Sequence, residues 1–443
     1  MTQTFDLADP GTPERDWLAA LASRDLPTLD LSSFEHLVVV AAHPDDETLG
    51  AGGLMATAAA LGLRITVVVL TDGAASHPNS PTHSPRELRR IREAEVRHAV
   101  SSLAPDASVV TLGLPDGALA EQGDKPVNAI VEAIGLDGAS TLLLSPWHAD
   151  RHPDHAAAAQ AAALSARRTD ATHLGYPIWA WHWSSVDEFV WDSAVSIDLT
   201  PSTVEWKRTA IAAHTSQVEP LSDAPGDEAL LPDHVLRHFA RAQEILLSQN
   251  VIQDQALDDL HDEQADPWNV DESWYERRKR AVTLGLLTRA RYESALEVGC
   301  SIGALTTDLA ERCDRVLGID ASAHAARAAT ARVPVNAEIQ QRDAPEDWPD
   351  GRFDLVVLSE VGYFLSPRRW DALLDRVRES LTEDGEVLLC HWLPQPDGWP
   401  MDGEVVHEAA IERLSGEGRR VVVQYRDDHV RMEVIGASPV RPD

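Results

Sequence analysis

Twice in this chain a largely apolar run of strand length ends abruptly in a loop of small or ligand-bearing residues. Residues 37–42 (Leu-Val-Val-Val-Ala-Ala) lead into His43-Pro44-Asp45-Asp46-Glu47, and residues 295–299 (Ala-Leu-Glu-Val-Gly) lead into Cys300-Ser301-Ile302-Gly303. A run without polar alternation belongs to a strand covered on both faces. In the first half, further apolar runs at 65–70, 109–112 and 141–145 alternate with helical stretches at 49–61, 85–103 and 156–167. The second half repeats the alternation, with strands at 295–299, 315–320, 353–359 and 386–391 and helices at 274–280, 304–312 and 322–332. Both halves predict an α/β fold, each a Rossmann-like, mostly parallel sheet with helices on both faces.

A chain of 443 residues exceeds one ordinary core,. The expected division is a first domain over 1–250, a linker over 251–264 rich in Asp, Gln and Glu, and a second domain over 265–443,. The formal net charge of −34 lacks the basic footprint that nucleic acid or an anionic membrane requires. No run reaches the ~18 apolar residues that span a bilayer, and Met1-Thr2-Gln3-Thr4-Phe5-Asp6 lacks the basic start of a secretory signal,. Three scattered cysteines, Cys300, Cys313 and Cys390, make no disulfide framework, so a reducing cytoplasm is the expected location,. The expected partner is a small-molecule or glycan substrate, with no nucleic acid and no membrane insertion, and the composition leaves room for an oligomer.

The first signature loop is answered by His152-Pro153-Asp154-His155, after the apolar run at 141–145. In open α/β sheets ligands sit outside the carboxyl ends of the strands, where these two loops can meet. A hydrolytic zinc site needs about three protein ligands and one open position. His43, Asp46 and His155 supply two imidazoles and a carboxylate on loops at that edge. Asp45, beside a ligand, is free to take a proton from the attacking water, and His152 could protonate the leaving amine or stabilise the oxyanion, oriented by Asp154. Each residue alone has a plainer reading, since His-Pro-Asp commonly makes a turn and Asp46-Glu47 a helix start. It is the pair of strings at two strand ends that points to metal chemistry. His and carboxylate ligands also suit iron, nickel or cobalt.

The second signature, Glu297 through Gly303, opens a helix after a short strand. Its Gly299 and Gly303 let backbone approach a ligand, but G-x-x-x-G is not the dinucleotide fingerprint. Asp320, at the end of the next strand, can take both ribose hydroxyls, and Asp343, after a third strand, can reach an adenine amine. That set points to S-adenosylmethionine. A primary amine must lose a proton before attacking a sulfonium methyl, and Glu360, Tyr363 and His391 all lie at strand ends as acceptors. In-line transfer by positioning alone is the alternative.

Residues 37 to about 247 resemble the PIG-L/LmbE-type deacetylases, zinc enzymes that remove acetyl groups from N-acetylated sugars and related amides. The matching stretches are AHPDDE (42–47), GGxxA (52–56), LTDG (70–73), RxxE (92–95), LGLPDG (112–117), HPDH (152–155) and Lys207 with His214-Thr215-Ser216-Gln217. The resemblance implies the same ligands, base and catalytic histidine, and places Arg92 and Asp116 near the substrate. From Asp266 to about His407 the chain resembles the nodulation-type N-methyltransferases that act on deacetylated chitooligosaccharides. The matching words are DPW (266–268), SWYERRKR (273–280), ALEVGCSIGALT (295–306), LAERCDRVLGID (309–320), FDLVVLSEVGYFL (353–365) and CHW (390–392). This resemblance implies that Glu297, Gly299, Gly303, Asp320 and Asp343 hold the cofactor, with Ser359 near the methyl group and Trp274, Tyr275 and Arg278 in a lid.

Together the two halves predict a bifunctional enzyme, N-deacetylation of an amino-sugar-type substrate followed by N-methylation of the freed amine. Action on separate substrates, methylation of oxygen or carboxylate, or one half serving as a binding module are the alternatives. Trp179, Trp181, Trp183 and Trp191 suit either sugar stacking or core packing.

Overall fold

The computed structural model describes residues 9–249, 254, 257, 260–261, 264, 266–416 and 418–437. The chain divides into two compact units, Met1–Ile252 and Gln253–Asp443. The linker expected over 251–264 lies outside the described residues except at 254, 257, 260, 261 and 264.

In the first unit the strands are β1 (His36–Ala41), β2 (Arg64–Thr71), β3 (Ser108–Leu114), β4 (Thr141–Pro146), β5 (Thr172–Tyr176), β6 (Ala194–Asp198) and β7 (Gln243–Ser248). They form one sheet in the order β3-β2-β1-β4-β5-β7-β6, parallel except for β7. The unbroken apolar run of β1 has the expected cause. Leu37, Val39 and Ala41 enter the core on one face, Val38 and Val40 the core on the other, and all are fully buried. Trp17, Trp181 and Phe189 pack edge-on or stacked with centroids 4.9–5.3 Å apart in the same core. Trp179, Trp183 and Trp191 are partly buried against it. The tryptophan cluster is therefore core packing.

The second unit contains β8 (Tyr292–Val298), β9 (Cys313–Asp320), β10 (Ala337–Gln341), β11 (Phe353–Ser359), β12 (Leu381–Trp392), β13 (Arg420–Arg426) and β14 (Val430–Gly436). Their order is β10-β9-β8-β11-β12-β14-β13, with β14 antiparallel to both neighbours. Along β11, Val356 and Leu358 face one core while Leu355 and Val357 face the other.

Two helices begin earlier than their apolar periodicity indicates. The first-unit helices are Asp46–Leu61 and Pro153–Thr169, so Asp46 and His155 sit in first helical turns rather than on loops. The causes are local: carboxylates at a helix start complement its dipole, and proline suits the first helical position. His152 caps the second helix, its Nδ1 accepting the Asp154 N–H at 3.2 Å. The Asp46 helix can press close to the sheet because it lacks side chains where it touches. A Cβ at Gly50 would stand 2.1 Å from the Tyr176 ring, and one at Gly53 2.4 Å from Leu199.

Candidate active sites

The first site lies at the carboxyl edge of β1 to β4. Asp46 stands between two imidazoles, with Oδ2 3.5 Å from His43 Nδ1 and Oδ1 3.4 Å from His155 Nε2. Two ligands on a tetrahedral ion at about 2.1 Å stand roughly 3.4 Å apart, so this spacing fits a shared cation. His155 is fully buried, and its Nε2 has no hydrogen-bond partner among the described residues. A buried ring nitrogen that makes no hydrogen bond yet faces a carboxylate at 3.4 Å is what a ligand set presents,. The His152 ring joins the cluster, 4.7 Å from His43 and 4.8 Å from His155 between centroids. Indeed His43, His152 and His155 offer one nitrogen each within 4.8 Å of one another, as do the ligand atoms of His43, Asp116 and Asp154.

The remaining expected residues also gather here. Asp116 Oδ1 lies 3.3 Å, and Asp154 Oδ2 3.2 Å, from His43 Nε2. Asp154 does not turn its carboxylate to the His152 ring, as its orienting role required. That carboxylate accepts the Gly117 and Leu119 N–H groups at 2.8 and 3.1 Å, which aim it at His43. Arg92, nearly fully buried, leaves Nε and Nη2 without hydrogen-bond partners among the described residues. Gly73, at φ +62°, gives it room, since a Cβ there would stand 2.5 Å from Arg92 Nη1. Asp45 occupies φ 141°, a strained region for a non-glycine residue and one that clusters at functional sites,.

Sequence reasoning missed Asp150. Fully buried, it accepts from His155 Nδ1 at 2.7 Å and from the Ile178, Trp179 and Ala180 N–H groups. A carboxylate on the far nitrogen fixes the ligand tautomer, and the Asp-x-x-x-x-His spacing before HPDH was its one visible signal. Lys207 and His214 are one layer back: Lys207 pairs with Glu244 at 2.6 Å, and His214 Nε2 meets Thr48 Oγ1 at 3.0 Å.

Electrostatics follow from this crowding. Burial opposes charge on His43, yet hydrogen bonds to Asp116, Asp154 and Asp46 hold it well above the ordinary histidine range. His155, against the same opposition from burial, is raised to about 9 by Asp46 and Asp150. His152 is driven the other way, to about 3, by burial and by His155 and His43. Burial and the Asp46 carboxylate hold Asp45 well above the usual carboxylate range, against the pull of Arg92. A neutral carboxyl or free carboxylate at Asp45 is thus set by the charge its neighbours carry.

The second site occupies the carboxyl edge of β8, β9 and β11. Gly299 and Gly303 have φ +73° and +78°, and a Cβ at Gly303 would stand 3.0 Å from that of Ala329. Asp320 accepts the Ser301 N–H at 2.8 Å and the Ser322 N–H at 2.9 Å, which fixes the carboxylate beside the loop. Glu297 lies beneath the loop rather than open to a ligand. It accepts the Thr306 hydroxyl at 2.5 Å, and burial pushes it up to about 8. Asp343 ion-pairs with Arg369 at 2.7 Å and is largely exposed. Ser359 ends β11.

At the acceptor side, Glu360 receives Lys279 Nζ at 2.8 Å, the Tyr363 hydroxyl and the Trp392 N–H. Lys279, also paired with Glu276 at 2.9 Å, was not singled out in the sequence. His391 is not available as a base toward the cofactor. It is fully buried, its Nε2 accepts the Gly362 N–H at 3.0 Å, and its Nδ1 meets His407 Nε2 at 3.1 Å. Burial, with His407 and Lys279, pushes it well below the ordinary histidine range. Of the expected lid, Trp274 is 70% exposed. The Tyr275 hydroxyl is buried with no hydrogen-bond partner among the described residues. Arg278 turns instead to the β13–β14 hairpin, pairing with Asp427 at 2.9 Å and donating to the Tyr425 hydroxyl. Its guanidinium follows the half-buried Asp427 carboxylate within reach.

A family model for GlcNAc-PI de-N-acetylase (PIG-L) matches residues 38–166, and one for a methyltransferase domain matches residues 295–385. The chain is a fusion of a PIG-L-type domain and a methyltransferase domain. The PIG-L half is 28% identical, over 189 residues, to a probable N-acetyl-alpha-D-glucosaminyl L-malate deacetylase 2 of Bacillus subtilis, covering 42% of this chain and 84% of that protein. The methyltransferase half is 37% identical, over 103 residues, to nodulation protein S of Rhizobium tropici, covering 23% of this chain and 43% of that protein. The chain spans about half the length of the curated nodulation relatives it matches. It is also similar to the N-methyltransferase NodS of Bradyrhizobium japonicum WM9 in complex with S-adenosyl-l-homocysteine, at 24% identity and a TM-score of 0.38, covering 41% of this chain and 98% of that one. Neither domain contains, among the described residues, a helix long and apolar enough to cross a membrane.

Proposed function

We propose that the PIG-L-type unit removes the acyl group from an N-acylated amino sugar and that the methyltransferase unit methylates the freed amine with S-adenosylmethionine. The observation that carries the first step is the buried, unpartnered His155 Nε2 facing Asp46, with His43 on the carboxylate's other oxygen. His43, Asp46 and His155 would hold a divalent cation, zinc being the natural candidate for such donors. That cation activates water and polarises the amide oxygen when bound. Asp45 takes the proton of the attacking water, and Arg92 directs its free N–H groups at the substrate. The proton taken by Asp45 passes on to the departing amine, and His152, lowered to about 3 by burial and by His155 and His43 and so held neutral, stabilises the oxyanion with a ring N–H,.

In the second unit the support is a glycine loop closed on Asp320, which suits the ribose of a nucleoside cofactor,. Glu360, kept beside Lys279 and Tyr363, accepts the ammonium proton before methyl transfer. The first reaction makes a primary amine, and the second consumes a nucleophile of that class. Zinc loading followed by incubation with N,N'-diacetylchitobiose and isotopically labelled S-adenosylmethionine tests the sequence. The expected product is one acetyl group lighter and carries a labelled methyl on nitrogen. Deacetylation without label in the product would separate the two halves onto different substrates.

A further inference from the structure

Beneath the methyltransferase site, three fully buried side chains from three elements stand in line. His391 ends β12, His407 lies in the helix Gly403–Leu414, and Glu433 lies in β14. Glu433 Oε1 receives Arg431 Nε at 2.7 Å and Gln424 Nε2 at 3.1 Å, while Oε2 meets His407 Nδ1. His407 Nε2 faces His391 Nδ1 at 3.1 Å, and His391 Nε2 faces the Gly362 N–H at 3.0 Å.

Only one proton arrangement satisfies every link. The Gly362 amide can only donate, so His391 Nε2 must be bare and its proton must sit on Nδ1. His407 Nε2 then has to accept, which puts the His407 proton on Nδ1, toward Glu433. If His407 carried a second proton, His391 would be forced to protonate Nε2, and two N–H groups would collide at Gly362. Such a mismatch leaves two buried donors without acceptors, which the fold does not tolerate. The chain ends where it matters, because Gly362 precedes Tyr363, whose hydroxyl donates to Glu360. Nothing bulkier fits at its last link. A Cβ at Gly362 would stand 2.4 Å from Val406 Cγ1 and 3.2 Å from His391 Nε2.

We infer that Glu433 and His407 are positioning residues for methyl transfer, fixing the His391 tautomer that anchors the Gly362–Phe364 turn and with it the Tyr363–Glu360 pair. The inference rests on the methyltransferase reading of this unit. Its test uses the full chain with histidine nitrogens labelled, the His391 signals being identified by their loss in His391→Gln. Wild-type His391 is expected to carry its proton on Nδ1. In Glu433→Gln the amide can present N–H to His407 Nδ1, inverting the chain. The expected result is a proton on His391 Nε2 and a kcat about 100-fold lower, with KM for S-adenosylmethionine unchanged. His407→Leu, which removes the acceptor facing His391, is expected to lose the Nδ1 tautomer and rate as Glu433→Gln does, and the conservative His407→Gln, which retains an acceptor oxygen there, is expected to rescue both. A wild-type proton on Nε2 overturns the inference. So does a Glu433→Gln protein with an unaltered tautomer, whatever its rate. Glucosamine and deacetylated chitobiose serve as acceptors, and calorimetry with S-adenosylhomocysteine reports the cofactor site. A wild type that binds S-adenosylhomocysteine but methylates neither acceptor refutes the acceptor class, and the tautomers alone then decide the inference.

Discussion

The two units share a strand order, third-second-first-fourth-fifth-seventh-sixth, with the seventh strand antiparallel in each. They differ in the loop that leaves the first strand. In the PIG-L-type unit it is the four-residue Ala42-His43-Pro44-Asp45, turning directly into a helix through a strained aspartate at φ 141°. In the methyltransferase unit it is a five-residue loop whose sharp turns fall on Gly299 and Gly303. One loop gathers buried ionisable side chains, the other withdraws side chains so that backbone faces the ligand. The shared sheet supplies an edge, and the first loop decides the chemistry performed there.

The contrast breaks if either loop can be disabled without selective loss. Replacing Asp46 by Ala is expected to remove bound metal and lower amide hydrolysis by about three orders of magnitude or more, leaving S-adenosylhomocysteine affinity unchanged. Elemental analysis and calorimetry on one preparation check both. His152→Ala is the sharper companion. It is expected to keep the metal at full stoichiometry while losing about 100-fold in kcat, and loss of metal instead would make His152 a ligand. Asp150→Asn, acting only through His155, is expected to weaken metal affinity by about 10–100-fold. On the other side, Asp320→Ala is expected to weaken cofactor binding by about tenfold, with hydrolysis untouched.

A smaller effect is set by protonation. His155 is raised to about 9 in the folded, metal-free protein, above the ~6.5 of an unfolded chain. Its contribution to stability is therefore complete below about pH 6.5 and lost as pH rises through about 9. Metal-free protein should show a falling Tm across that window, and zinc-loaded protein should not. Zinc binding at neutral pH should also release protons, seen as a calorimetric heat that depends on the buffer.

Strands buried on both faces were the most legible elements, because continuous runs such as those of β1 and β11 have no other stable use. The short or edge strands β5, β6 and β13, and the interior antiparallel strand β14, carry mixed sequences and gave no such signal. Ligand-bearing residues were legible where they sat in a compact string, as at 43–47 and 152–155. Partners brought in by folding were not: Asp150 reads as part of a turn, Lys279 as one more charge on a basic helix, and Glu433 as a strand residue. His391 shows the converse error, since a strand end suggested access to the cofactor while its ring points into the core. Arg278 likewise looked ligand-directed only until Asp427 and Tyr425 were brought beside it.

The carboxylate of Asp46 is flanked by two imidazoles that favour the cationic form, so proton charge on those rings balances it. A divalent cation entering between them would have to displace that proton charge, so acid would compete with it.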